Sequence, residues 1–394
     1  MTVRRVAVVG GATTEFGIRP CTWAELAQEA GEALFRAVPA LRTEDVDSLF
    51  VGAAMPERFA FQSHVAPYAA EQIGLRPTRI LQRTELACAS GQSAIRSAYA
   101  AIASGLSDVA VAVGLEKMNL PSMAEANSSM ACVLDRAWDG PSGATAPPFF
   151  AMVAQRHMLE YGTTPDQLAA VSEKNHRLAN TNPHAQFYRK TFSRDKLLGL
   201  PLVAPPLRLG DCSSMTDGAA AVVLAAEDHL RGFEGPIAWV RGTGQYSDFH
   251  NLANAGSLTD WVGLRHASRE ALASAGIGVG ELDLAEVHDC FTISEIIEYE
   301  ALGLCPPGRG GAWVEDGNAD LGGTLPTNLR GGLLGCGHPL GATGIAQAVE
   351  VFQQFASQVP AARQVPDARW ALVHNLSGSA NVHSVMVYER GEAS

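Results

Sequence analysis

The chain has 394 residues, with 47% hydrophobic and 18% charged side chains, enough to bury a sizeable core and too apolar for intrinsic disorder. Lys and Arg number 29 against 41 Asp and Glu, a formal net charge of −12, which argues against nucleic acid as a partner. No apolar run approaches the roughly 18 residues that cross a membrane, and the stretch after Arg4-Arg5 is too short for a signal peptide, so a cytoplasmic protein without membrane contact is expected.

Strand and helix patterns alternate, which points to an α/β architecture. Val3–Gly10 reads as a buried first strand. Thr22-Trp23-Ala24-Glu25 has the form of a capping box, and Trp23, Leu26, Ala30 and Leu34 follow at helical spacing. Asp47–Ala53 and Arg79–Arg83 read as strands, 88–104 as a helix and Asp108–Gly114 as an apolar strand. From 116 to about 206 the periodicity weakens, predicting an irregular insertion or lid with short helices. Order resumes with the strand Asp217–Leu224, and the second half then repeats the first. Ile237–Gly242 matches the first strand, Trp261–Ala275 is a helix, and Leu282–Val287 matches the second strand. A helix after His338 matches the helix after Cys88, and Trp370–Val373 matches Asp108–Gly114. The repeat places Cys88 and His338 at equivalent positions, each at a helix N-terminus.

Four segments can carry chemistry. Cys88 stands where a loop turns into a helix, and that end lowers a thiol pKa; a buried structural cysteine is the plainer reading. Gly335-Cys336-Gly337-His338-Pro339-Leu340-Gly341 is glycine-dense, and its histidine either serves a thiol as base or only caps a turn. His288-Asp289-Cys290-Phe291 follows an apolar strand, where reactive groups gather, although Cys290 as core and Asp289 as a helix N-cap fit equally. His374-Asn375-Leu376-Ser377-Gly378 ends the last apolar strand and can supply amides to an oxyanion. The seven cysteines include no Cys-x-x-Cys pair, so neither a disulfide scaffold nor a zinc site is expected.

Taken in order, these segments resemble the thiolase superfamily, in its sterol-carrier-protein-type variant. Asp217-Gly218-Ala219-Ala220 and Asn182-Pro183-His184-Ala185-Gln186-Phe187 extend the likeness over nearly the whole chain. Common thiolases carry Asn-Glu-Ala-Phe where this chain has His288–Phe291, and a second catalytic cysteine, in Cys-x-Gly, where it has Asn375-Leu376-Ser377. Ser377 in place of that glycine is a departure even from the variant family.

The resemblance implies a thiolase fold, two similar α/β halves in a five-layered αβαβα body with an inserted loop domain. The halves would span 1–235, with the insertion at about 116–206, and 236–394. It implies reversible Claisen condensation and thiolysis of CoA thioesters through an acyl-Cys88 intermediate, making 3-ketoacyl-CoA and CoA from acyl-CoA and acetyl-CoA. His338 is then the base for Cys88, Cys290 the acid/base at the α-carbon and His288 the holder of a water. The amides of Cys88 and of the Asn375–Ser377 segment are oxyanion donors, and Ser213 aligns with a pantetheine-contacting serine. No metal and no tightly bound cofactor is expected, and a homodimer or homotetramer is the default. Other readings are a retro-aldol lyase, an acetyltransferase subunit working with a zinc-ribbon/OB-fold partner, and a non-catalytic scaffold. Retention of Cys88, His338 and Cys290 disfavours the scaffold. With the chain ending at Ser394, no appended sterol-carrier domain is expected.

Overall fold

A computed structural model describes residues 4–393, so Val3 of the expected first strand and Ser394 lie outside it. The strands are β1 (Val6–Thr13), β2 (Ser48–Gly52), β3 (Ile80–Thr84), β4 (Val109–Glu116), β5 (Leu202–Ala204) and β6 (Leu207–Arg208). They continue with β7 (Gly218–Ala226), β8 (Pro236–Ser247), β9 (Leu284–Glu286), β10 (Trp370–Ser377) and β11 (Val382–Glu392). β5 and β6 form a small ribbon, and the other nine make one sheet in the order β3-β2-β4-β7-β1-β8-β11-β10-β9.

The internal repeat is visible in that order. β8, β11, β10 and β9 stand in the second half where β1, β7, β4 and β2 stand in the first. β7 runs antiparallel to β4 and β1, and β11 antiparallel to β10 and β8. The half-sheets are joined at β1–β8 through only two residue pairs, Ala7 with Trp239 and Val8 with Ala238. This narrow seam lets the halves fold toward each other around two shared helices, Ser90–Ala103 and Leu340–Phe355.

Five layers follow from period-two burial. Ala220, Val222 and Leu224 of β7, with Val373 of β10 and Met386 of β11, face the core around the two shared helices. Ala219, Ala221 and Val223 face the outer helices Trp23–Ala37 and Val65–Ile73. Leu372, Val385 and Val387 face the other outer layer, which holds Val262–Ala275 and Thr292–Ala301. Each fully buried Val or Leu contributes about 1.5–3 kcal/mol against exposure, so this alternation holds the layers in register.

The insertion is more regular than its sequence suggests. It contains the helices Ala146–Tyr161 and Pro165–Ala179, of 16 and 15 residues, rather than short ones. Both carry proline in the first turn, and the second has a capping box from Thr164 to Gln167. The second helix buries Lys174, Asn175 and His176, polar residues that erase the apolar stripe from the sequence.

Candidate active site

Both shared helices aim their N-termini at one point. Cys88 lies in the one-turn 3-10 segment Ala87–Ala89, which leads directly into the helix Ser90–Ala103. Ala87 takes φ +42°, left-handed for a residue with a side chain, and this bend turns Cys88 inward from the strand end. His338 precedes Pro339 and the helix Leu340–Phe355. The glycines of that segment are required by contact: a Cβ on Gly344 would lie 2.5 Å from the Gln92 nitrogen, and one on Gly91 2.5 Å from the Gly341 oxygen. The two helix starts can meet only because all of these positions lack side chains.

The Cys88 sulfur and ring nitrogens of His288 and His338 lie within 4.8 Å of one another. The His288 and His338 rings meet edge to face at a centroid distance of 4.9 Å. His338 Nδ1 is 2.7 Å from Thr343 Oγ1, and that hydroxyl donates to the Pro339 carbonyl at 3.0 Å. Thr343 therefore accepts from Nδ1–H, which leaves the lone pair on Nε2. Among the described residues Nε2 has no hydrogen-bond partner, and neither His288 ring nitrogen has one. These three groups are also a soft donor set that could hold a metal ion, but a ligated Nε2 and sulfur would no longer be free to exchange a proton.

Electrostatics corrects one expectation. Burial pushes the Cys88 thiol up to about 12, against the lowering pull of the Gly378 amide and its own. Burial, aided by the Arg330 charge, pushes His338 down to about 3. The helix-dipole effect expected to favour a resting thiolate is outweighed, and the pair rests as neutral thiol and neutral imidazole. The Cys290 thiol is raised as well, first by burial and then by Cys88 beside it.

A narrow cavity of about 120 Å³ opens on this centre. Cys88, Cys290, His338, Ser213 and Gly378 line it, with an apolar wall that includes Met118, Met130, Phe150 and Phe291. The Ser213 amide donates to the Cys290 carbonyl at 2.9 Å. The structure thus brings together Cys88, His338, His288, Cys290 and Ser213. It does not bring in Asn375, whose buried side chain bonds Gln347 and the His374 carbonyl inside the β10 layer. Ser377 lies on a neighbouring groove, whereas Gly378, one residue later at φ +59°, lines the cavity together with Cys88.

Residues missed in the sequence hold the site in place. Asp289 does not cap its own helix, whose N-cap is Phe291; its carboxylate accepts from Leu333 and Leu334 amides at 2.7 and 3.1 Å. Glu116 accepts from the amides of Ala54, Met55 and Gly341, tying the start of the helix after His338 to the segment that lines the neighbouring groove. Thr216 accepts from the His338 amide and bonds Gln186, whose own amide donates to the Cys336 carbonyl. The 182–187 stretch is therefore a clasp on the histidine loop. Asp217 accepts from Lys117, Asn119 and Arg19, a packing role for the Asp-Gly-Ala-Ala run.

Comparison with known proteins identifies the family. A family model described as "Thiolase, N-terminal domain" matches residues 6–195, and one described as "Thiolase C-terminal domain-like" matches 244–390. An acetyl-CoA acetyltransferase of Methanothermobacter thermautotrophicus is 39% identical over 389 residues, covering 98% of this chain and 100% of that protein. Sterol carrier protein 2 of Homo sapiens is 32% identical, covering 99% of this chain and 73% of that protein. Human mitochondrial 3-ketoacyl-CoA thiolase in complex with CoA superposes with a TM-score of 0.73 at 19% identity, over 100% of this chain and 99% of that one, a likeness of fold.

Proposed function

The chain belongs to the thiolase family and is an acyltransferase of CoA thioesters, and from that premise we propose how its residues divide the work. The observation that carries the reading is the convergence of Cys88, His338 and Cys290 on one apolar cavity, with Gly378 in its wall.

In the condensing direction, Cys88 passes its proton to His338 Nε2 as its sulfur attacks the acyl-CoA carbonyl. The oxyanion is received by the Cys88 and Gly378 amides. The leaving CoA thiolate takes the Cys290 proton, which yields free CoA, acyl-Cys88 and a Cys290 thiolate. Burial makes that thiolate a strong base, suited to remove the α-proton of acetyl-CoA. The protonated Nε2 of His338, and a water held by His288, stabilise the enolate. Its carbon attacks acyl-Cys88, the Cys88 sulfur leaves and recovers its proton from His338, and 3-ketoacyl-CoA is released. Thiolysis is the same path reversed. CoA thioesters are the substrates, and no tightly bound cofactor takes part. Ser213, which lines the cavity, is assigned to the pantetheine arm. We also propose a homo-oligomer, and a zinc-ribbon/OB-fold protein as the class of partner to test; that a 32% identical relative is named as a subunit, benzoylsuccinyl-CoA thiolase subunit BbsB of Thauera aromatica, motivates the second.

Intact-mass trapping against a panel of acyl-CoAs tests the reading. One acyl adduct, mapped to Cys88 and absent from Cys88→Ala, is expected. No adduct with any thioester would sink the nucleophile assignment.

A further inference from the structure

The reaction centre has a second chemical capacity that proton transfer does not use. The Cys88 sulfur and a ring nitrogen from each of His288 and His338 lie within 4.8 Å of one another. His288 and His338 are 0% and 5% exposed. Among the described residues, His338 Nε2 and both His288 ring nitrogens lack a hydrogen-bond partner, which leaves buried polar atoms unsatisfied beside a thiol.

We propose that Cys88, His288 and His338 form an inhibitory site for a soft divalent cation, with zinc as the ion. Thiolate and imidazole are donors that suit zinc, and three protein ligands with one open position make a four-coordinate site. Zn–S bonds of about 2.3 Å and Zn–N bonds of about 2.0 Å put tetrahedral ligand atoms roughly 3.3–3.6 Å apart, so the trio must draw in by at most about 1.5 Å. The His288 ring, held by no hydrogen bond among the described residues, can supply that movement by turning.

The His338 side of the site is already oriented. A ligating histidine almost always donates its other N–H to an acceptor, which fixes the tautomer. Thr343 Oγ1 accepts at Nδ1, 2.7 Å away, and leaves the Nε2 lone pair for the metal. Magnesium and calcium seek oxygen ligands, and the trio offers none. The fourth position opens to the cavity that Cys88 and His338 line, where water completes the coordination.

Binding exchanges a proton for the metal with no redox change. The Cys88 S–H bond breaks, the S–Zn bond forms and the proton passes to solvent, while both imidazoles bind neutral. The bound ion then holds the sulfur that attacks and the lone pair that receives its proton. Zinc and an acyl group on Cys88 therefore exclude each other. That consequence rests on the nucleophile role given above to Cys88; the coordination does not.

Cobalt(II) titrated into the metal-free, full-length protein tests the site without turnover. A thiolate-to-cobalt charge-transfer band and the d–d bands of four-coordinate cobalt are expected, unchanged by excess magnesium and abolished by zinc. Cys88→Ala should lose the charge-transfer band, whereas Cys132→Ser, which removes an exposed thiol, should keep it. His288→Phe should weaken zinc binding by more than about 10²-fold, and Thr343→Val, which removes only the support at Nδ1, by about 10-fold. No charge-transfer band in the parent, a band that survives Cys88→Ala, or equal zinc affinity in parent and His288→Phe would overturn the proposal. Should His288→Phe fail to fold, the cobalt bands and the cysteine variants still decide. Intact-mass measurement reads the inhibition: with zinc in excess over total CoA, the acyl adduct should be lost, and a chelator should restore it. Full adduct formation with the site saturated would overturn the inhibitory role. A parent that shows the cobalt bands yet forms no adduct without metal overturns the nucleophile assignment instead, while supporting the metal site.

Discussion

The Cys88 thiol and the His338 imidazole are both buried, and burial penalises the charged form of each. Proton transfer between them is therefore unfavourable until a thioester carbonyl supplies a place for the developing charge, between the Cys88 and Gly378 amides. His338→Ala should accordingly slow acylation by about 10²–10⁴-fold while leaving CoA affinity nearly intact. Stopped-flow acylation at the parental rate would remove His338 from the mechanism. Cys290 gives the departing CoA its proton in the first half-reaction, a step that water can replace because CoA leaves readily as a thiolate, and only the second half-reaction depends on it. The position where common thiolases place their second cysteine is Asn375, which neither ionises nor reaches the cavity. Cys290→Ala should still form an acyl-enzyme on Cys88 when acyl-CoA is supplied, yet fail to exchange the α-protons of acetyl-CoA with deuterium. Condensation near the parental rate would assign the base elsewhere, whereas loss of acylation as well would mean that Cys290 acts chiefly in the first step.

At the level of elements, the cavity is closed by contact between the insertion and the catalytic strand end. Phe150, from the helix Ala146–Tyr161, stacks on Phe291 with centroids 4.4 Å apart and planes 21° from parallel. Phe150→Leu should enlarge the space beside Cys290 without opening the core to water. The ratio of kcat/KM for branched or longer acyl-CoAs to that for acetyl-CoA is expected to rise about 10-fold. An unchanged ratio across an acyl series would show that the acyl group lies elsewhere. The reach of sequence reading is plain from these same elements. Strands of continuous apolar residues, such as 217–224, and the helix starts at Cys88 and His338 were legible because burial and glycine contacts dictate residue type locally. The helices of the insertion were not, because Lys174, Asn175 and His176 are buried with partners from other segments. The roles of Asp289 and Glu116 were equally hidden, since each accepts from amides that folding alone brings near, and within the 374–378 segment the sequence did not single out Gly378.

Across the whole molecule, the buried titratable groups oppose one another with pH. Glu116 is raised from 4.5 to about 7, Glu286 from 4.5 to about 8 and Asp289 from 3.8 to about 7, with burial the largest cause in each. A raised carboxyl binds its proton more tightly in the folded state. Its contribution is fully present below its unfolded value and is lost as pH rises through the folded one. His338 and His374 are lowered from 6.5 to about 3 by burial, so their contribution is present above 6.5 and is lost as pH falls toward 3. Between about 4.5 and 6.5 the two sets act in opposite directions and largely offset each other. Below that window the carboxyls are protonated in both states and only the histidines still change, so stability falls with acid. Above it the histidines are neutral in both states and only the carboxyls still change, so stability falls toward about 8. The melting temperature is thus expected to peak between about pH 4.5 and 6.5, below neutrality, and to decline on both sides. Glu286→Gln removes the carboxyl with the highest folded value and should flatten the alkaline limb while leaving the acid limb unchanged. Melting curves at closely spaced pH check this: a plateau extending through pH 8 in the parent would mean that these carboxyls are ionised at no cost, held by Arg330 and the amides around them.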